Sequence, residues 1–128
     1  MDPVVWQESW SVGNDSLDDD HKRLVSIINR VSDSMSDGQD PVWLLNDLKS
    51  YAKYHFDREE ALMEAAEIEG LVEHKETHRM FVEWLTTLQA TINLPEARFI
   101  LLEAANEYLR DWLGRHILGT DMQYKGRI

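Results

Sequence analysis

The sequence contains no cysteine, which excludes disulfides and thiolate metal sites; any bound metal has to be held by nitrogen and oxygen. It also lacks any apolar run of about 20 residues, the length a bilayer-spanning helix needs. Positive charge is scarce. Against 24 Asp and Glu there are only 13 Lys and Arg, a net charge of -11, and the basic residues are scattered, so phosphate backbones and anionic lipid surfaces are repelled. The opening Met1-Asp2-Pro3-Val4 places an acid where a secretory leader would carry positive charge. These absences predict a cytoplasmic protein with neither nucleic acid nor membrane as partner.

With three prolines and six glycines, breaks in the chain are few. They fall at Gly13-Asn14-Asp15-Ser16, Ser36-Asp37-Gly38-Gln39-Asp40-Pro41, Gly70, Asn93-Leu94-Pro95 and Gly119. Asp40 before Pro41 reads as a helix N-cap followed by proline in the first turn, and Asn93-Leu94-Pro95 as a second start of that kind. The 128 residues, 43% hydrophobic, predict one domain over residues 1–128. An extended N-terminal arm over residues 1–15 precedes helices roughly over 17–36, 41–66, 70–90 and 95–117. Short connections make this an all-α, up-down-up-down antiparallel four-helix bundle.

What the sequence has in plenty is histidine on its apolar stripes. Leu24, Ile28, Val31 and Met35 recur at helical spacing, and one step back on that face is His21. Leu44, Leu48, Tyr51, Leu62 and Ala66 define the second stripe, with His55 and Glu59 in its middle. The third reads Leu71, Phe81, Leu85 and Leu88, with His74 and His78 between its first members; the fourth reads Leu102, Ala105, Leu109 and Trp112, followed by His116. One histidine on an apolar face is more often a hydrogen-bonded core residue than a ligand. A His pair at i, i+4 suits chelation, yet it also arises on solvated faces. The second pair, His55 and Glu59, tips the balance, because a buried Glu is costly unless a cation or proton meets it.

Helix direction adds an independent constraint. In an up-down-up-down bundle His21 near the start of the first helix, His55 and Glu59 towards the end of the second, His74 and His78 at the start of the third and His116 closing the fourth all reach one end. Asp121, five residues after His116, would point away from it in an uninterrupted helix, so Gly119 is expected to loosen the backbone there. A solvated last-turn Asp is the competing reading; the need of two cations for anionic partners favours a ligand. Imidazole and carboxylate suit zinc as well as iron.

These residues resemble the hemerythrin family, which includes the invertebrate myohemerythrins and bacterial hemerythrin-like proteins. The resemblance rests on Leu17-Asp18 with His21-Lys22, on His55-Phe56-Asp57-Arg58-Glu59-Glu60-Ala61-Leu62-Met63, and on His74-Lys75-Glu76-Thr77-His78 with Phe81. It continues through Trp112-Leu113-Gly114-Arg115-His116-Ile117-Leu118-Gly119-Thr120-Asp121 and Tyr124-Lys125-Gly126. It implies two iron ions joined by an oxo or hydroxo bridge, with His74, His78 and His116 on one iron, His21 and His55 on the other, and Glu59 and Asp121 bridging them. About eleven of twelve octahedral positions are then filled, leaving one for dioxygen on the iron with two histidines. Leu24, Phe56, Trp112 and Leu113, each beside a ligand along its helix, are expected to wall the oxygen pocket by that resemblance, and would be core residues in any bundle. Gly114 departs from the bulkier aliphatic residue that family members often carry.

The expected function is reversible dioxygen binding, as a carrier or store, without catalysis. A sensing module of a signalling system and a di-iron peroxidase-like or ferroxidase-like enzyme are the alternatives. A histidine-rich site with few carboxylates donates less electron density than the carboxylate-rich ferritin-like sites with their Glu-x-x-His pairs. No histidine in this chain has a Glu three residues before it. A monomer is favoured over an oligomer.

Overall fold

The computed structural model describes residues 3–37, 39–94 and 96–128. Four helices carry the fold: α1 (Asp15–Asp37), α2 (Pro41–Ala65), α3 (Leu71–Thr91) and α4 (Arg98–Arg115). Strands are absent among the described residues. α1 packs against α2 and α4, and α2 against α3. The fourth side closes through large rings, with Phe81 stacked on Trp112 and Trp84 on Tyr108 between α3 and α4.

The helix ends follow from local chemistry. The Asn14 side chain accepts from the Leu17 N–H at 3.1 Å, so α1 begins two residues earlier than its apolar pattern predicts. Asp40 caps α2 as expected, accepting from the Val42 N–H at 2.9 Å with Pro41 in the first turn. α2 ends in a left-handed turn in which Glu67 N–H donates to Glu64 O and Ile68 N–H to Met63 O. Glu67 takes φ +55 there, a conformation that costs a residue with a Cβ, so Glu67→Gly is expected to stabilise the fold by up to about 1 kcal/mol in chemical denaturation. Gly70, at φ +82, supplies the next left-handed turn and launches α3.

The fourth helix departs from the sequence expectation. Asn93 does not cap it; Ala97 is its N-cap, without a side-chain bond, and regular helix begins at Arg98. Ile92 is fully buried and ends α3, while the Arg98 side chain donates back to its carbonyl at 3.1 Å, which turns the corner after α3. Pro95, expected in the first turn of this helix, lies outside the described residues, as do Met1 and Asp2 of the arm.

The arm, described from residue 3, crosses the bundle extended except for a short 3-10 turn at Glu8–Trp10. Asn29 grips it like a strand partner: Val4 N–H donates to its Oδ1 and its Nδ2 donates to Val4 O, both at 2.8 Å. Asp18 holds the other end, accepting from Ser11 Oγ at 2.5 Å and from Val12 N–H at 2.9 Å.

Two apolar clusters result. The larger runs through the bundle and includes Leu24, Phe56, Phe81, Leu113 and Ile117. The smaller caps one end with Val12, Leu17, Met63, Ile68 and Tyr124. Along each helix the histidines fall between residues of the smaller cluster and residues of the larger. Apolar side chains therefore flank the histidines along the bundle, while His74 also lines a polar cavity with Glu69, Thr120 and Gln123.

Candidate metal centre

Every histidine is buried, as are Glu59 and Asp121, the two carboxylates fully. The ligand-type atoms sort into two groups, each with mutual distances within 4.8 Å: Glu59 with His74, His78 and His116, and Glu59 with His21 and His55. Glu59 belongs to both because its two oxygens face opposite ways. Oε1 lies 2.5 Å from His74 Nε2 and 3.2 Å from His78 Nε2, whereas Oε2 lies 3.2 Å from His55 Nε2 and 3.7 Å from His21 Nε2. Asp121 repeats this division, with Oδ1 3.2 Å from His74 Nε2 and 3.0 Å from His116 Nε2, and Oδ2 3.2 Å from His21 Nε2. Two carboxylates thus span a cluster of three imidazoles and a cluster of two.

The hydrogen-bond accounts do not close without a further partner. Among the described residues, His21 Nε2, His55 Nε2 and both oxygens of Asp121 are buried with no hydrogen bond. The Nε2 atoms of His78 and His116 converge to 3.1 Å. Lone pairs aimed at one point from two sides are what a cation site requires and what a packed core avoids.

Asp121 arrives on this face by a route the sequence reading did not foresee. The backbone does depart from regular helix around Gly119, but through a π-helical turn over His116–Thr120 in which Asp121 N–H donates to His116 O, and not through a left-handed glycine. The wider turn brings the fifth residue back over the first, which a regular helix does not. Gly119 has no positive φ, and a Cβ there would meet nothing within 4 Å. Gly119→Ala is therefore expected to stabilise the protein by about 0.4–1 kcal/mol in thermal denaturation, with metal uptake unchanged.

A second layer of side chains orients the first. Asp20 Oδ2 accepts from His55 Nδ1 at 3.0 Å, and Asp20 Oδ1 accepts from the Tyr51 hydroxyl at 3.0 Å. Glu60 Oε2 accepts from His78 Nδ1 at 2.8 Å, and the buried Tyr124 hydroxyl donates to Glu59 Oε2 at 2.9 Å. Each histidine bond leaves the Nε2 of its ring to face the cluster, and the Tyr124 bond steadies Glu59 on the oxygen that faces His55 and His21. None of these roles was read from the sequence. The available signals were the phenol of Tyr51 on an apolar stripe one turn before His55, and Tyr124 three residues after Asp121.

Charge in the metal-free protein follows from this geometry. Burial acts to lower the His21 and His74 pKa values, but Asp121 and Glu59 beside them prevail and raise both from 6.5 to about 9. His55 also shifts upward, because Asp20 and then Glu59 outweigh its burial, and His116 does so because Asp121 and Glu59 outweigh its own. Burial acts to raise Glu59, yet the imidazoles around it hold its carboxyl well below the usual range; Asp121 is depressed likewise. Burial and the two carboxylates push the Tyr124 hydroxyl upward, so it remains a donor.

Of the residues expected to wall a pocket, Leu24, Phe56 and Leu113 are buried and Trp112 is half-buried. Phe56 stacks on His78 at 3.8 Å between centroids and Trp112 on His116 at 4.5 Å, so these rings cover two members of the group of three histidines. The open space at Gly114 lies on the arm side of α4. It is a cavity of about 200 Å³ lined by Val4, Trp10, Arg110, Leu113, Ile117 and Leu118 as well as Gly114, and it shares only Leu113 with the expected pocket.

A helix bundle that closes one end around five imidazoles and two carboxylates, with unmet lone pairs between them, is a nitrogen- and oxygen-ligated metal-binding bundle. Residues 12–128 match the family model of the hemerythrin HHE cation binding domain, and the chain belongs to the hemerythrin family. It is 37% identical over 128 residues to Myohemerythrin-1 of Phascolopsis gouldii, covering 99% of this chain and 96% of that one. Identity is 34% over 124 residues to a hemerythrin-like protein of Naegleria gruberi, covering 97% and 92%. It is 31% over 126 residues to the myohemerythrin of Riftia pachyptila, covering 98% and 94%. Among the described residues no helix is long and apolar enough to cross a membrane.

Proposed function

We propose that this chain binds dioxygen reversibly at a pair of iron ions, as a carrier or store. His74, His78 and His116 would hold one ion and His21 and His55 the other, with Glu59 and Asp121 shared between them. The observation that carries this reading is the division of the site into two donor groups sharing Glu59, with each carboxylate turning one oxygen to each group. Donors of this type suit iron. An iron pair held there would supply reversible electron donation to dioxygen.

The chain's own residues account for the rest. The smaller donor group offers two nitrogens where the other offers three, so an added ligand would be accommodated beside His21 and His55. Asp20 fixes the His55 ring, and Tyr124 fixes Glu59 by occupying Oε2 from behind. Leu24, Phe56 and Leu113 exclude water from the space around the site, which slows loss of the gas as superoxide. Phe56 stacks on His78 and also lies 5.9 Å from the His55 ring between centroids, so its bulk stands beside both donor groups, which favours a small diatomic ligand over an organic substrate and supports binding without turnover.

Metal analysis with an optical spectrum under air tests the reading. Two irons per chain, with oxo-bridge absorption and a peroxide-to-iron band that nitrogen purging removes, is the expected result. A colourless protein with one zinc, or rapid irreversible oxidation of the ferrous form in stopped flow, would overturn it. The cavity beside Gly114 gives a further expectation. Because a Cβ at this position meets nothing within 4 Å, Gly114→Val should fill space next to Leu113 and slow autoxidation. An unchanged rate of conversion to the diferric form would show that water does not enter there.

A further inference from the structure

The rings that join α3 to α4 form an unbroken file from the metal centre to the surface. His116 stacks on Trp112 at 4.5 Å between centroids, with planes 9° apart. Trp112 stacks on Phe81 at 4.1 Å, Phe81 lies 6.0 Å from Trp84, and Trp84 stacks on Tyr108 at 4.0 Å. The backbone makes the file regular: Phe81 and Trp84 are three apart on α3, Tyr108 and Trp112 are four apart on α4, and His116 follows four residues later at the start of the π-helical turn, so the two helices interleave their rings. The file does not end in core. Tyr108 is 40% exposed, so its ring touches both Trp84 and solvent.

Packing alone would be served by any large side chains. In a chain without cysteine, indole and phenol are the side-chain groups most easily oxidised by one electron, and here two indoles and a phenol, with a single intervening phenyl ring, lie between a buried histidine of the site and water. We propose that this file is an electron path by which Tyr108 supplies an electron to the metal centre when peroxide oxidises it, drawing the oxidising equivalent away from the buried imidazoles. The proposal rests on the di-iron reading above.

The step balances for a mixed-valence centre meeting hydrogen peroxide. One electron comes from the ferrous ion, which becomes ferric, and one passes along Trp84, Phe81 and Trp112 from Tyr108. The O–O bond breaks, and with two protons from solvent the peroxide leaves as two waters. Tyr108 loses its hydroxyl proton to solvent and becomes a neutral phenoxyl radical. A one-electron donor of the ascorbate class restores it at the surface by returning a hydrogen atom.

The test uses the full chain loaded with iron, its metal content measured first, brought to the mixed-valence state and freeze-quenched after mixing with one equivalent of hydrogen peroxide. Electron paramagnetic resonance is the readout, with ring-deuterated tyrosine to identify a phenoxyl signal. The expected result is a tyrosine radical that is lost in Tyr108→Phe and also in Trp84→Phe, where the oxidising equivalent stops on Trp112 as an indole radical. Both substitutions keep an aromatic ring, and unchanged iron content and circular dichroism show that the fold persists. A tyrosine signal of unchanged intensity in Tyr108→Phe would place the radical elsewhere, Tyr124 beside Glu59 being the nearest phenol, and would overturn the proposal. So would the absence of any radical in protein carrying two irons. A chain that takes up no iron overturns the di-iron reading, and the path with it, and metal analysis separates that failure from the others.

Discussion

Glu59→Gln is expected to abolish stable binding of two irons and to destabilise the metal-free protein by about 3–5 kcal/mol, the cost of removing one partner from a buried charge pair. Glutamine keeps the volume and one carbonyl oxygen but replaces the other oxygen with an NH2 group. Glu59 is fully buried, and both its oxygens are committed, Oε1 to His74 and His78, Oε2 to His55, His21 and Tyr124. An amide would turn N–H bonds towards one of these groups, where a cation has to sit. In the metal-free chain the loss has a different origin. The imidazoles that Glu59 holds protonated would lose their counter-charge while still buried. Iron per chain by metal analysis and unfolding free energy by urea titration check the two halves separately. Retention of two irons would show that Glu59 is a buried acid serving the fold and not a shared ligand.

How far the sequence foretold this site depends on whether a residue's neighbour lies along its own helix or on another. His21, His55, Glu59, His74, His78 and His116 were legible because each continues an apolar stripe at helical spacing, and alternating helix direction brings them to one depth. Asp18, Asp19 and Asp20 show the limit. In the sequence they are three equivalent acids in a first helical turn. In the fold Asp18 grips the arm, Asp19 is exposed and Asp20 stands behind His55. Successive residues point in very different directions around a helix, and which direction faces a partner depends on where α2 lies. Asp121 was legible as a ligand candidate, but not the π-helical turn that presents it, since a change from i, i+4 to i, i+5 bonding leaves no compositional mark. The contact of Trp84 with Tyr108 depends on the register of α3 against α4, which periodicity within either helix does not specify.

Metal uptake by the metal-free protein near pH 7.5 is expected to release at least two protons per chain, one each from His21 and His74, whose pKa values stand at about 9. Both rings have Nε2 directed at the carboxylates, so the proton and the metal compete for one lone pair. This competition also sets how stability varies with pH. A raised histidine pKa stabilises the folded chain fully below the unfolded value of 6.5, and that contribution is lost as pH rises through about 9. The depressed carboxyl of Glu59 acts in the opposite sense: its contribution is present above the ordinary value of 4.5 and lost as pH falls below it. The metal-free protein should therefore be most stable between about pH 4.5 and 6.5 and weaken by a few kcal/mol towards pH 9. The iron-loaded protein should behave differently over the alkaline limb, because cations in place of those protons neutralise Glu59 and Asp121 without titrating there. Urea titrations of both forms across this range, with potentiometric counting of protons during metal addition, check the expectation. A metal-free protein whose stability is flat from pH 6.5 to 9, or uptake without proton release, would mean that the buried imidazoles are already neutral and that the two carboxylates are balanced by some other charge.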